Sequence, residues 1–552
     1  MEEADMYDLK LTESYVPAQP DGTLRDVSVG GLLRWQATDL GDAVAVTAMA
    51  ADGTLGQSWT HTELLADAEW LALSLATRFG PGDRVVVWAP NVGRWLLMEY
   101  ACALAGLVLV TANPSFQAAE LRYVLEQSGS AALFHVASHR GNPMATIARE
   151  ACEGLERVRE IIDLDDDDQL YATGERLAAL PVVAPGDPAQ IQYTSGTTGF
   201  PKGAVLSHHS LVNNARLFAE RALINGDSVY ANFMPLFHTA GCATGALGSL
   251  QAGCRMLLIE QFDADALALR IETERVTNFF AVPTILVALL ESLEQQPRDV
   301  ESLVAITTGG APVSSELVDR VRTRLGCHLL TAFGQTEASP MITLNHADVS
   351  ADHIASSAGQ PLPLTEVSIR TAREDGAAGV ATSVVPVGEV GEICARGYGV
   401  MIGYNDNPEA TAAAIDDEGW LHTGDLGTLD EEGFVRITGR VKDMIIRGGE
   451  NHFPAEIENA LLEHATVAEV AVVGLPDPKW GEVIGAFVRT VSDEPIDIDG
   501  LRAHCRGALS PQKTPSVWEQ LKEFPLTGSG KIQKFAIRDD YMNRSAREVD
   551  DR

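Results

Sequence analysis

The stretch YTSGTTGFPKGA (193–204) decides how the rest of the chain reads. A short apolar strand ending at Tyr193 runs into a loop of Thr194, Ser195, Gly196, Thr197, Thr198 and Gly199, followed by one cation, Lys202. Glycine lets the backbone approach a ligand closely, and successive backbone N–H groups beside hydroxyls suit anionic oxygens. The loop is therefore read as a phosphate cradle. It is not a Walker motif, which needs GxxxxGK[ST] opening a helix, whereas here Pro201 precedes Lys202 and Gly203 follows it. A plain surface loop is the alternative, and the coincidence of hydroxyls, glycines and a lysine argues against it.

Working outward, 552 residues exceed one ordinary compact core, so two or more domains are expected. A formal charge of -36 excludes a protein that holds nucleic acid by its general surface, because phosphate neutralisation needs clustered Lys and Arg. Any phosphate must be met locally. The seven cysteines are scattered without a CxxC pair and read as reduced, mostly buried thiols rather than zinc ligands. The opening MEEADMYDLK has acids where a secretory leader needs basic and then apolar residues, which points to the cytoplasm. The uncharged stretches 100–119 and 233–254 are broken by Asn113 and Pro114, and by Pro235, His238 and several glycines, so no transmembrane segment is expected.

Short Val, Ile and Leu runs at 84–88, 107–110, 131–136, 255–259 and 303–307 alternate with helical segments, the pattern of layered α/β architecture with largely buried sheets. Residues 263–275 have helical spacing with acids near the start. The acidic run 165–168 reads as a solvated loop. From Gly433 glycines and charges interrupt the periodicity before a new helical stretch at 454–464, which places a boundary near Arg440. The chain then divides into 1–440 and 441–552, the second part having its own apolar strands at 470–473 and 484–488.

With the phosphate cradle at its centre, the sequence resembles the adenylate-forming superfamily of acyl-CoA synthetases, luciferases and peptide-synthetase adenylation domains, whose further motifs follow in order from 193 to 534. TAFGQTEAS (331–339) is similar to the segment that lays an aromatic against adenine. The likeness implies that Ala332, Phe333, Gly334, Gln335 and Thr336 contact the nucleotide and that Glu337, with Thr197, holds Mg²⁺. A carboxylate beside a triphosphate needs an intervening cation. TTGGAPVS (307–314) resembles the other adenine-flanking loop, with Gly310, Ala311 and Pro312 at the base. HTGDL (422–426) matches the motif whose aspartate, here Asp425, accepts hydrogen bonds from both ribose hydroxyls. Alone, that Thr-Gly-Asp would be an ordinary turn, and Glu337 a surface acid.

GRVKDMIIRGGENHFPAEIE (439–458) resembles the junction between the family's two domains. It implies Arg440 on the ribose, Lys442 as hinge, and Gly448 and Gly449 near the pantetheine arm of CoA together with Trp480 of DPKWGE (477–482). A glycine turn and a packed tryptophan are the plain alternatives. PLTGSGKIQK (525–534) is similar to the motif whose lysine, here Lys531, reaches the carboxylate and α-phosphate, where negative charge must be balanced along the reaction path. PLFHTAG (235–241) matches the element whose histidine, here His238, lies beside the acyl carboxylate and gates CoA entry, though its apolar neighbours would equally suit a packed core histidine. The implied catalytic set is Lys531, Glu337, His238 and Arg440.

The resemblance implies an α/β chain whose large multi-subdomain N-terminal domain of layered α/β sheets binds ATP and the acyl acid, joined to a small mobile α+β C-terminal domain carrying the catalytic lysine. It implies an ATP-dependent acyl-CoA synthetase: acid and ATP give acyl-AMP and pyrophosphate, then CoA gives acyl-CoA and AMP. The partners are a small-molecule carboxylic acid, ATP and CoA, with Mg²⁺ as cofactor; a homodimer is compatible with this. The junction and tail look most like the medium-chain fatty-acid group, so a medium-length or branched aliphatic acid is expected, with aromatic and steroid side-chain acids left open. A ligase loading a carrier-protein thiol is weaker, because FMPLFH (233–238) lacks a carboxylate for an α-amino group. A non-catalytic nucleotide sensor would not need Glu337, Asp425, Arg440 and Lys531 together.

Overall fold

The computed structural model describes residues 6–20, 22–172, 179–194, 201–310, 313–372, 382–447, 450–492, 494–526 and 532–550. Among these the strands form four sheets. The nine-stranded sheet is parallel through Val44–Met49, Arg255–Ile259, Val229–Asn232, Asn278–Ala281, Ala305–Gly309 and His328–Gly334. A seven-stranded sheet is parallel through Glu160–Asp163, Ala132–His135, Arg84–Trp88, Val108–Thr111 and Pro188–Thr194, then antiparallel through Lys202–Ser207 and Gly403–Tyr404. Val85, Val86, Val87, Leu133 and Phe134 are fully buried, as expected of strands covered on both faces.

Two helices, Gly93–Ala105 and His208–Arg221, are buried nearly all round. A helix in that environment has no solvent face to keep polar. Both contribute to one apolar core that also contains Val46, Met256 and Leu258 from the nine-stranded sheet and Val85, Leu109 and Ile191 from the seven-stranded one. A third, five-stranded sheet is antiparallel and takes in the amino-terminal strand Tyr15–Val16 beside Thr365–Arg370, followed by Gly391–Gly397, Leu421–Leu429 and Val435–Arg440. The fourth lies wholly after Arg440. Its long hairpin Val467–Asp477 and Gly481–Thr490 packs against the helices Pro454–Leu462, Ile498–Ala508 and Lys534–Asp550 around apolar clusters of its own.

The expected strand 255–259 agrees residue for residue, while 107–110 and 303–307 form as Val108–Thr111 and Ala305–Gly309. Asp263 caps the helix Ala264–Glu274 by accepting the Ala266 N–H, and Arg275 ends it in the left-handed region. The acidic run is not merely a solvated loop. Asp166 caps the short helix Asp167–Leu170 through the Gln169 N–H, and Asp167 pairs with Arg94 at 2.6 Å. All seven cysteines are free and buried. Among the described residues no helix is long and apolar enough to cross a membrane.

Candidate active site

The strands Pro188–Thr194 and Lys202–Ser207 pair antiparallel with Thr194 opposite Lys202, so a hairpin carries the glycine- and hydroxyl-rich loop. Ser195, Gly196, Thr197, Thr198 and Gly199 lie outside the described residues. At the base of the hairpin a Cβ on Gly203 would come within 2.7 Å of Ile191 and 3.3 Å of the Tyr193 ring, so the close pairing there requires glycine.

The two segments expected to flank adenine leave adjacent parallel strands, with Gly309 opposite Ala332. Ligands of open α/β sheets gather at such carboxyl ends. Gly310 follows in the left-handed region at φ 81°, and Ala311 and Pro312 lie outside the described residues. Ala332 and Phe333 are buried in the strand His328–Gly334, which turns back onto Met341–Leu344. A Cβ on Gly334 would stand 2.1 Å from the Pro340 carbonyl oxygen, so only glycine permits this return. The Gln335 N–H donates to the Pro340 carbonyl and its own carbonyl accepts the Ala338 N–H, both at 2.9 Å, which closes the turn Thr336–Ala338.

Glu337 sits on that turn and is 9% exposed, so it is not a surface acid. The Tyr404 hydroxyl donates to its Oε1 at 2.7 Å, and the Thr194 hydroxyl lies 3.4 Å from the same oxygen. Burial, and then the adjacent Glu337 charge, push the Tyr404 phenol far above its ordinary range, so it remains a donor. Lys202 Nζ stands 5.1 Å from the centre of the Tyr404 ring. Glu337 thereby joins a loop of the nine-stranded sheet to the Thr194–Lys202 hairpin and Tyr404 of the seven-stranded one.

The third sheet adds Asp425 and Arg440, cross-strand neighbours whose side chains meet where Arg440 Nε–H donates to Asp425 Oδ1 at 2.8 Å. Asp425 is buried, whereas the Arg440 side chain is half-exposed. The Asp425 carboxylate is the main reason that the Arg440 guanidinium is held above its usual range, with Asp443 and Glu337 adding to it. Lys442, in the turn Val441–Asp443, is lowered by burial first and then by the cations Lys202 and Arg440. The cations Lys202, Arg440 and Lys442 and the carboxylates Glu337, Asp425 and Asp443, from three sheets and the turn after the third, thus act on one another. Such a cluster can hold a polyphosphate and a ribose together.

His238 is half-buried just before the π-helical segment Ala240–Leu247, and its Nδ1 accepts the Ala240 N–H at 3.2 Å. A Cβ on Gly241 would meet the Pro235 carbonyl oxygen at 2.2 Å, which ties the PLFHTAG turn tightly over its own start. Trp480 is not packed as a core residue: it is 42% exposed, with Lys479 Nζ 4.8 Å and the Arg447 guanidinium 5.7 Å from its ring. Among the described residues no contact joins it to the Glu337 cluster. Gly448, Gly449 and Lys531 lie outside the described residues; Leu526 and Ile532, which flank Lys531, pair as an antiparallel bridge. Sequence reasoning missed Tyr404, whose GYNDNP context has no apolar periodicity to mark it, and Glu392, which supports the Asp425 turn.

The model of the AMP-binding enzyme family matches residues 33–405, and that of the AMP-binding enzyme C-terminal domain matches 456–531. The chain belongs to the AMP-binding enzyme family. Human mitochondrial medium-chain acyl-CoA ligase ACSF2 is 32% identical over 95% of this chain and 89% of its own. The 3-[(3aS,4S,7aS)-7a-methyl-1,5-dioxo-octahydro-1H-inden-4-yl]propanoyl:CoA ligase of Rhodococcus jostii is 34% identical over 92% of this chain and 98% of its own. Among solved structures, the o-succinylbenzoate CoA synthetase of Bacillus subtilis with its acyl-adenylate intermediate has a TM-score of 0.80 at 30% identity, covering 94% of this chain and 99% of that one. The protein is an AMP-forming acid–CoA ligase that uses ATP, CoA and a small carboxylic acid.

Proposed function

We propose that the protein activates a medium-length or branched aliphatic acid through the cluster centred on Glu337. The observation that supports adenylation at this cluster is the meeting of Thr194, Glu337 and Tyr404 from two sheets, with Lys202, Arg440 and Lys442 close enough to act on the same charges. Thr197, Thr198 and Lys202 surround the leaving pyrophosphate. Phe333 and the 310–312 segment enclose adenine, and Asp425 with Arg440 takes the ribose. Mg²⁺ fits the donors present, because the Glu337 carboxylate beside the Thr194 hydroxyl offers hard oxygens; Glu337 and Thr197 would hold it, and it would screen the phosphate charge. Lys531 neutralises the charge that develops as the carboxylate attacks the α-phosphate. His238 stands at the acyl end.

The domain boundary falls at Arg440 and Lys442 is the hinge. Support comes from its position in a short turn between the last strand of the third sheet, Val435–Arg440, and the first of the fourth, Ile445–Arg447. Rotation there withdraws Lys531 after adenylation and brings the Gly448, Gly449 and Trp480 side toward CoA. The likeness to a medium-chain ligase favours an aliphatic acid, and the likeness to a ligase of a fused-ring propanoate supports a bulky alicyclic acid as the second reading.

Pyrophosphate release with ATP and Mg²⁺ across acids from acetate to long-chain, aromatic and steroid acids, with and without CoA, tests the reading. The highest kcat/KM on C6–C12 or branched acids, with a CoA thioester as product, is the expected result. Preference for the fused-ring acids would move the assignment to the second reading, and pyrophosphate without thioester would refute CoA as acceptor.

A further inference from the structure

The ribose turn is a bulge. In the pairing of Gly391–Gly397 with Leu421–Leu429, Glu392 stands opposite Leu426 and Cys394 opposite His422. One residue, Ile393, therefore faces three, Thr423, Gly424 and Asp425. Bulges leave residues unpaired and re-aim side chains; Asp425 keeps its pairing with Arg440, while Thr423 and Gly424, the latter at φ 72°, have no ladder partner and must be held by other contacts. Two contacts from the facing strand hold them. Glu392 Oε1 accepts the Gly424 N–H at 3.0 Å, and the Thr423 hydroxyl donates to the Ile393 carbonyl at 2.7 Å while accepting the Asp425 N–H at 3.1 Å.

Glu392 is itself fixed. Its Oε2 lies 2.8 Å from His422 Nδ1, and His422 Nε2 lies 3.3 Å from Asp416 Oδ2. Asp416 is held in turn by the Glu418 and Trp420 N–H groups, at 3.0 and 2.9 Å, on its other oxygen. Glu392 and His422 are buried, and Cys394 Sγ stands 3.4 Å from the same His422 nitrogen. Glu392, Cys394 and His422 offer ligand types that a zinc ion accepts. However, zinc bonds of about 2.0–2.2 Å at tetrahedral angles would separate nitrogen from oxygen by about 3.4 Å, so the 2.8 Å contact is a hydrogen bond rather than shared ligation.

We propose that Glu392 and Thr423 are positioning residues that aim Asp425 at the ribose hydroxyls, with His422 and Asp416 locking the Glu392 carboxylate in place. This rests on the assignment of Asp425 to the ribose. A carboxylate that must meet two hydroxyls at once tolerates little misplacement, since an error of about 1 Å in a positioning group can cost about 10²-fold. The brace therefore acts on discrimination between nucleotides that have and lack those hydroxyls, not on catalysis in general.

The test compares kcat/KM for ATP and for 2′,3′-dideoxy-ATP in acid-dependent pyrophosphate release by the full chain. Glu392→Ala and Thr423→Val should each lower the preference for ATP by about 10-fold or more, through KM for ATP, as expected for losing one hydrogen bond to a charged group. Their kcat with ATP, and their kcat/KM with the dideoxy nucleotide, should stay within about 3-fold of the parent, a margin below that loss. Glu392→Gln keeps an acceptor oxygen for the Gly424 N–H and should retain the preference. An equal loss on both nucleotides in Glu392→Ala and Thr423→Val would overturn the proposal and leave the brace structural. Thr423→Val removes one hydroxyl without stranding a buried charge, so it decides the matter even if Glu392→Ala does not fold. Asp425→Ala is the control: if it keeps the parent preference, the ribose assignment fails, whereas its collapse beside unchanged Glu392→Ala and Thr423→Val refutes the brace alone.

Discussion

Glu99 lies on the helix Gly93–Ala105, 3% exposed, in the core between the two large sheets. Gln190 Nε2–H donates to its Oε1 at 2.7 Å, while its Oε2 has no hydrogen-bond partner among the described residues. Burial, only partly offset by Gln190, pushes the carboxyl from 4.5 up to about 8. The folded protein thus binds a proton that the unfolded chain releases near pH 4.5. Stability from this group is full below that pH, falls by about 1.4 kcal/mol per pH unit, and is lost once the pH passes about 8, a total of about 5 kcal/mol. Glu99→Gln keeps the shape and the Gln190 contact but carries no titrating proton. The remaining ionisable groups are common to both proteins, so the difference between them isolates Glu99.

The magnitude in a thermal scan follows from the unfolding entropy. At roughly 2.1 cal/mol/K per residue, a unit of about 440 residues changes Tm by about 1 °C per kcal/mol. Glu99→Gln should therefore gain about 4 °C on the parent between pH 5 and pH 8, with the gain levelling off above pH 8. A Tm difference that stays constant across that range would refute the reasoning. So would one that shrinks as pH rises.

Tyr404→Phe removes the hydroxyl that orients Glu337 and should raise the Mg²⁺ concentration giving half-maximal pyrophosphate release about 10-fold, in a Mg²⁺ titration at saturating ATP. Gly334→Ala drives a Cβ against the Pro340 carbonyl and should lower Tm while raising KM for ATP at least about 10-fold, since the turn carrying Glu337 must shift. Lys531→Ala should slow acid-dependent pyrophosphate release by about 10²–10³ and leave thioester formation from supplied acyl-AMP within about 3-fold, as single-turnover assays of the two half-reactions would show.

Much of the fold was legible because parallel strands covered on both faces announce themselves as apolar runs: 255–259 and 84–88 agree with the strands formed. Boundaries moved where hydrogen-bonding and not hydropathy ends an element. Thr111 and Thr308 extend their strands past the last aliphatic residue because each is buried beside a parallel neighbour. The site motifs were legible as glycines and charges in a family order. What gives those motifs their geometry was not. Tyr404 reaches Glu337 across 67 residues of sequence and Thr194 approaches it across 143, and no local pattern encodes either contact. Nor does any spacing reveal that Thr423, Gly424 and Asp425 face a single residue.

The bulge and the glycine at 334 have a common physical origin. A carboxylate gains freedom of aim by leaving the ladder with at least one neighbouring strand, because a residue paired on both sides alternates strictly between the two sheet faces. Asp425 leaves it on the side facing Gly391–Gly397, by insertion of residues opposite Ile393, while staying paired with Arg440 on the other side, and Glu337 leaves by a reversal so tight that position 334 admits no side chain. Both departures free backbone groups that the sheet no longer satisfies, and each is closed by a polar contact from a neighbouring segment: Glu392 to the Gly424 N–H, and the Glu337 carbonyl to the Met401 N–H at 2.8 Å. The Asp425 and Glu337 carboxylates are therefore as well placed as the side chains and backbone that close these gaps. For that reason Glu392, which need touch no substrate, is expected to matter to nucleotide recognition.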